Sequence, residues 1–431
     1  MSLREIADIV MKASPAEQTE VVVTEQDDSL TRFANNTIHQ NVTERNAHIV
    51  VRAVIGRRAG MAVSNHTTKD ALEQLARRAF DLARIAPENH AFKGLASPSP
   101  ITGSAVYDSR TGDCPPQERA AKAGIICRKA SAAGYTAAGS VRTIAFRLGV
   151  ANSLGVFAES LTSIADISTV IMTADSSGWA QSSGTRLDAL DADILADEAI
   201  RKVRIGRNPV ECTPAEYTVI LDPYATADLL SMLAFDGMGA TSFQEERSWL
   251  NGRIGQKIMA DAVTIVDDGS DPAGIPALFD YEGMPKKRVA IVESGVARTP
   301  VYDCYTAGRE SGRESTGHAT PPSPLERVGP LPVNLFLKTG SSSVEEMIQT
   351  TRHGLYITRF WYTRPVHPRD AVITGMTRDG TFVVKDGEIA YPVKSLRFTQ
   401  SYVEALKNAE AIGSLPRRQW ADMVTITAPA V

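Results

Sequence analysis

The sequence predicts an α+β protein of two domains, and three observations carry that reading. Strand-like runs separated by Gly- or Asn-rich turns gather in blocks, at 20–65 and again at 139–183. Helical stripes flank these blocks instead of alternating with single strands, which argues against a doubly wound parallel sheet. A chain of 431 residues is long enough for two or three domains, and "CTPAEYTVILD" (212–222) leads into a new unit, which sets the boundary near 206–215. The expected division is an N-terminal α+β domain over 1–210 and a β-rich C-terminal domain over 211–431.

Each element has a local reason. Leu3, Ile6, Ile9 and Val10 give the first segment a helical stripe. "EVVVTEQ" (20–26) reads as a strand, and Asn35-Asn36 in "LTRFANNTIHQN" as a turn or bulge, because Asn tolerates left-handed backbone. "AHIVVRAVI" and "AGMAVSN" flank Gly56-Arg57-Arg58 as a hairpin. Thr67 or Thr68 caps a helix that stops at Pro87, and a polar connector runs from about Glu88 to Pro116. A helix near 117–133, strands over 139–183 and a helix over 188–205 then loosely repeat the first block; "GMAVSN" and "GVANSLG" are a weak echo of duplication.

The second half opens with "YTVILD" and Asp222-Pro223, an N-cap followed by proline at the first helical position. That helix is apolar on its inner face and ends in Asp236-Gly237-Met238-Gly239. Strands follow at 262–269 and 288–295. The polar stretch 306–330 is expected to be a mobile loop or a surface folded against something else. Short strands with Gly-rich turns then lead to a closing helix near 401–411.

Composition narrows the function. Forty-six basic and 50 acidic residues are interspersed, for a net charge of −4, so no basic footprint for nucleic acid appears. "MSLREIADIVMKAS" has the spacing of an amphipathic helix rather than a signal peptide, and no apolar run is long enough to span a membrane. The four cysteines are scattered, as in a reduced cytoplasmic protein.

No complete catalytic constellation is visible. No two of the seven histidines lie within eight residues, so helical zinc motifs are absent. The G-x-S-x-G, Walker and dinucleotide fingerprints are absent too. Cys304 in "YDCYTAG" would need a base such as His318 to act as a nucleophile; a buried cysteine on a strand end is the plainer reading. Asp267-Asp268-Gly269 reads as turn chemistry before a cation site. Glu245-Glu246-Arg247 reads as a solvated or ion-paired helix face. Arg309 and Arg313 in the long polar stretch could hold a peptide carboxylate.

Several stretches together resemble the TldD/PmbA family, also called modulators of DNA gyrase. They are "SLTRFANNTIHQNVTERN", "VRAVIGRRAGMAVSN", "RSWLNGRIGQKI", "VTIVDDG", "FDYEGMPKKRVAIVESGV" and "GEIAYPVKSLRF", in co-linear order. The resemblance implies one of two branches. TldD-type chains are zinc metalloproteases with an H-E-x-x-x-H helix and a cysteine ligand near the C-terminus. TldE (PmbA)-type chains lack those ligands and pair with TldD around a peptide cavity. Here Asp236 and Gly237 stand where the first His and the Glu would be, Thr241 stands near the second His, and no cysteine follows Cys304.

The resemblance therefore implies a non-catalytic TldE-like subunit with no cofactor of its own, zinc belonging to its TldD-type partner, and an unfolded or extended peptide as substrate. A ribosomal natural-product precursor is one such peptide. Arg309, Arg313 and His318 are the candidate substrate contacts, and a homodimer is the counterpart state of the isolated chain. Two alternatives stay open at this stage: a hydrolase relying on Cys304 or Asp236, and a binding protein that modulates gyrase or another toxin target.

Overall fold

The computed structural model describes residues 1–431 apart from 105, 324–327 and 422–423. Its first half repeats one pattern. Helix α1 (Leu3–Ala13), strands β1 (Gln18–Ala34), β2 (Thr37–Ile55) and β3 (Arg58–Ser64) and helix α2 (Lys69–Ile85) form the first unit. After a single turn, α3 (Ser109–Gly112), the second unit has α4 (Pro116–Ala132), β4 (Thr136–Asn152), β5 (Phe157–Met172), β6 (Ser177–Gly184) and α5 (Ala192–Ile205). The six strands make one antiparallel sheet in the order β3-β2-β1-β4-β5-β6, so the two meanders meet along β1 and β4.

The turns are those the sequence predicts. Asn35 and Asn36 both take positive φ (50° and 59°) between β1 and β2, and Gly56 (φ 57°) turns β2 into β3. The echo of duplication has a stronger form than "GMAVSN" against "GVANSLG". A Cβ on Gly60 in β3 would lie 2.1 Å from Ala83 N of α2, and one on Gly178 in β6 would lie 2.2 Å from Ala199 O of α5. The third strand of each unit thus needs glycine where the following helix crosses it.

Alternation along the strands divides the sheet's two faces. Val21, Val23, Ile49 and Val51 pack with Ile6, Val10, Leu72 and Ala76 under α1 and α2. Val141, Ala165 and Ile167 do the same under α4 and α5. On the opposite face Val22, Val50, Val150 and Val156 enclose Phe279 from the second half of the chain.

That second half holds β7 (Thr218–Leu221), α6 (Pro223–Leu233), a π-turn (Ala234–Met238) and α7 (Ala240–Gln244). Next come β8 (Ile265–Asp267), β9 (Val289–Glu293), β10 (Val296–Ala297), α8 (Cys304–Gly308), β11 (Asn334–Leu337) and α9 (Val344–Thr350). Strands β12 (His353–Ile357), β13 (Phe360–His367), β14 (Val372–Thr377), β15 (Thr381–Lys385), β16 (Glu388–Pro392) and β17 (Arg397–Ser401) lead to α10 (Tyr402–Lys407) and a last hairpin, β18 (Arg417–Ala421) and β19 (Val424–Ala428). They form sheets ordered β10-β9-β8-β11-β19-β18, β16-β15-β12-β7 and β13-β14-β17 around one large core. The architecture is α+β, as the sequence predicts.

One local expectation is corrected. The helix near 401–411 exists as α10 but does not close the chain. β19 follows it and inserts between β11 and β18, parallel to β11, because "VTITA" is buried almost throughout. Of the two readings of the polar stretch 306–330, its described part takes the second, a surface folded against the rest of the chain: Ser315, His318 and Ala319 are buried, while 324–327 lie outside the described residues. No helix among the described residues is long and apolar enough to cross a membrane.

Candidate functional site: a clamped π-turn

Asp222 caps α6 through Oδ1, which accepts from Tyr224 N at 3.3 Å, while Oδ2 accepts from Tyr356 OH at 2.5 Å. At its C-terminal end the helix widens into the π-turn Ala234–Met238 before α7 begins. Such turns misalign carbonyls from their usual donors and recur at functional positions. Here the donors come from "RSWL". Trp249 Nε1 donates to Leu233 O at 2.8 Å, and Ser248 Oγ donates to Gly237 O at 2.5 Å. Trp249 is fully buried.

The turn's residues are fixed by that clamp. A Cβ on Gly237 would lie 2.4 Å from Trp249 Cδ1 and 2.9 Å from Ser248 Oγ, so position 237 holds only glycine without rearrangement. Asp236 is buried, its Oδ2 has no hydrogen-bond partner, and burial pushes its carboxyl up to about 6 against the weaker pull of Arg247. Its neighbour Phe235 is 64 % exposed. Thr241 Oγ1 is buried without a partner, under Gly329, where a Cβ would approach it to 2.0 Å.

This donor set does not fit zinc. A catalytic zinc site needs three imidazole, carboxylate or thiolate ligands and an open position. The turn supplies one carboxylate, a glycine and a threonine. Among the described residues, no group of three or more His, Cys, Asp or Glu side chains is placed to hold a metal ion.

Cys304 is the first residue of α8, not a strand end, and is half-buried. Its backbone N–H donates to Glu282 Oε2 at 2.8 Å. Burial and the Glu282 carboxylate push its thiol far up, the opposite of what a nucleophile needs. His318 is not its base. Nε2 of His318 lies 2.7 Å from Asp267 Oδ1 and Nδ1 lies 2.9 Å from Thr316 Oγ1.

His318 has no accessible surface, so the expectation that it touches substrate meets a side chain sealed inside the fold. Asp267, also sealed, accepts from Val333 N (2.7 Å) and Asn334 N (2.8 Å) through Oδ2. Burial opposes charge on both partners. Asp267 still lies below the usual carboxylate range because His318, Lys286 and the Asn334 N–H outweigh burial. Burial, and then Lys286, push His318 below the usual histidine range against the pull of Asp267. The dyad joins the polar stretch to β8 and β11, which is why that stretch packs. Asp268, in contrast, performs the turn chemistry expected, accepting from Ser270 N at 3.0 Å.

Arg309 and Arg313 are exposed just after α8; Arg313 pairs with Glu310 at 3.4 Å and sits over Tyr302. The structure therefore does not gather Arg309, Arg313 and His318 on one surface. Glu245 and Arg247 form an exposed ion pair at 2.5 Å, but they follow α7, which ends at Gln244, instead of lying on a helix face as the sequence predicts.

Sequence reading missed a cleft of about 670 Å³ whose lining includes Trp179, Arg359, Trp361, Arg378, Asp379 and Lys394. Arg359 lies over Trp179 (4.0 Å) and Trp361 (5.0 Å) and bonds Asp379 at 3.2 Å. "RFWYTR", Arg359 and the start of β13, was the available signal, since aromatic residues beside arginine suit a binding wall.

Comparison with known proteins is decisive for the family. Residues 19–83 match the model of the PmbA/TldA metallopeptidase domain 1, and residues 214–431 match that of the PmbA/TldA metallopeptidase C-terminal domain. The chain belongs to the PmbA/TldD family. Among curated PmbA/TldD relatives, it is 27% identical over 222 residues to a metalloprotease of Methanothermobacter thermautotrophicus, covering 51% of this chain and 46% of that one. It is 24% identical to both the metalloprotease TldD homolog and the metalloprotease PmbA homolog of Haemophilus influenzae, each match covering 52% of this chain and 47% of the relative. The chain spans about half the length of the curated relatives it matches.

Two solved structures share the whole PmbA/TldD fold. TldE of Thermococcus kodakarensis superposes with a TM-score of 0.88 at 19% identity, covering 100% of this chain and 98% of its own. A Thermotoga maritima protein described as a modulator of a DNA gyrase gives 0.87 at 18%, again covering 100% and 98%.

Proposed function

We propose that this chain is a non-catalytic TldE/PmbA-like subunit that pairs with a TldD-type zinc metalloprotease and walls part of its peptide cavity. One observation carries the reading. The resemblance sets Asp236 and Gly237 where the first zinc ligand and the general base would be, and in the structure the space a side chain at 237 would need is filled by Trp249. The zinc-water chemistry then belongs to the partner, and this chain's residues bind and orient an extended peptide. The cleft bearing Trp179, Arg359 and Trp361 supports that role: its lining combines two indoles with the cations Arg359, Arg378 and Lys394, a mixture that suits the apolar side chains and the carbonyl or carboxylate oxygens of a peptide.

The test has two arms on the full-length purified chain. Metal analysis is expected to find substoichiometric zinc, and peptide substrates are expected to survive incubation with the lone chain. Adding a family member that carries H-E-x-x-x-H is expected to give a mixed complex on gel filtration and to yield peptide cleavage. One tightly held zinc per lone chain, or cleavage without the second protein, overturns the reading.

A further inference from the structure

The last hairpin closes a second pocket, of about 310 Å³, against the end of β6. Gln181 Nε2 donates to Trp420 O at 3.2 Å and Trp420 N donates to Ser183 Oγ at 3.2 Å, so β18 is tied to β6 beside the opening. Ser182, Ser183, Thr185, Arg186, Arg417 and Arg418 line it, and no acidic side chain among the described residues does.

Two of the three arginines have carboxylate partners: Arg186 pairs with Asp188 at 2.6 Å and Arg417 with Glu198 at 2.6 Å. Arg418 has none. Its Nη1 donates to Gly274 O at 2.7 Å, its Nε is buried without a partner, and Nη2 lies near Gly184 with no hydrogen bond. Asp166, buried in β5, accepts instead from Ser183 Oγ (2.6 Å) and Gln181 Nε2 (2.8 Å). Burial lowers the Arg418 pKa with no acid opposing it. A partly buried guanidinium without a counter-charge is costly, and proteins offset that cost with an anion. Ser183 spends its hydroxyl proton on Asp166, so the Ser182 and Thr185 hydroxyls beside the cation are the donors an oxyanion would accept from.

We propose that this pocket binds an oxyanion, a carboxylate or a phosphate group, with Arg418 Nη2 as its anchor and Arg186 and Arg417 as flanking charges. The site is independent of the clamped π-turn and of the reading of the chain as a protease subunit. A peptide chain-end carboxylate and a free phosphate present the same chemistry, and the test separates them.

Calorimetric titration of the full chain in low-salt chloride buffer near pH 7 would use three probes: inorganic phosphate, an N-acetylated tripeptide with a free carboxylate, and the same tripeptide amidated. Phosphate or the free-carboxylate peptide is expected to bind saturably and raise Tm, as any ligand confined to the native state must, and the amide is expected not to bind. Which of the two binds names the source. Arg418→Gln is expected to weaken binding at least about tenfold, and Arg186→Gln several-fold with Tm unchanged in anion-free buffer. If Arg418→Gln does not fold, the Arg186→Gln titration decides. Absence of saturable binding by both anions up to about 50 mM, or wild-type affinity in every folded variant, overturns the proposal.

Discussion

Gly237 shows how one missing side chain lets a clamp close on a turn. The clamp of Trp249 and Ser248 occupies the volume beside it, so no larger side chain sits there without rearrangement. Gly237→Ala is expected to destabilise the fold by about 1–3 kcal/mol through overpacking against the indole. Trp249→Phe keeps most of the apolar contact but leaves Leu233 O without its donor, at a cost of about 1–3 kcal/mol. Urea denaturation of both variants checks this. Unchanged midpoints in both would show that the clamp does not hold the turn.

At the scale of elements, local signals were legible where their cause is local. The Asp222-Pro223 cap, the Asn35-Asn36 and Gly56 turns and helix α2 before Pro87 all lie where the sequence places them. The π-turn was not legible, because its stabilising donors arrive 11 and 16 residues later from Ser248 and Trp249. Nor was the burial of His318, which depends on Asp267, 51 residues away. Helix α9 was missed despite a readable signature, Ser343 and Glu346 forming a capping box. Because the π-turn is held from outside, grafting ligands into it is expected to fail. The triple change Asp236→His, Gly237→Glu and Thr241→His is expected to bind no stoichiometric zinc, since a glutamate side chain at position 237 collides with Trp249 and the third ligand is still missing. Metal analysis of the folded variant with one zinc per chain would show that the clamp yields.

At the scale of the molecule, the duplicated sheet and the second half are joined by an apolar contact with a charged rim. Phe279 inserts into the valine face of the sheet, and Gly283 turns the same segment so closely that a Cβ would lie 2.5 Å from Val156 Cγ1. Around this contact Asp280 accepts from the N–H groups of Glu282, Met284 and Ala319. Glu282 faces Asp280, Asp303 and Arg52, and Arg52 on β2 also pairs with buried Glu20 at 3.5 Å. Burial, then the charges of Asp280 and Asp303, push Glu282 up to about 8, and burial raises Asp280 as well. A carboxyl raised in the folded state binds its proton more tightly there than when unfolded. Its stabilising effect is therefore full below the unfolded pKa and is lost as pH rises through the folded one. Wild-type stability is expected to fall as pH rises from about 5 to about 8, with Asp280 contributing in the lower part of that range. Glu282→Gln keeps an acceptor for the Cys304 N–H and cannot ionise, so it is expected to flatten the upper part and to be more stable than wild type near pH 8. Denaturation midpoints of both proteins across that range measure the difference directly. Parallel pH profiles would show that Glu282 is ionised in the fold, neutralised by Arg52, and that the two halves are joined through an ion pair instead of a shared proton.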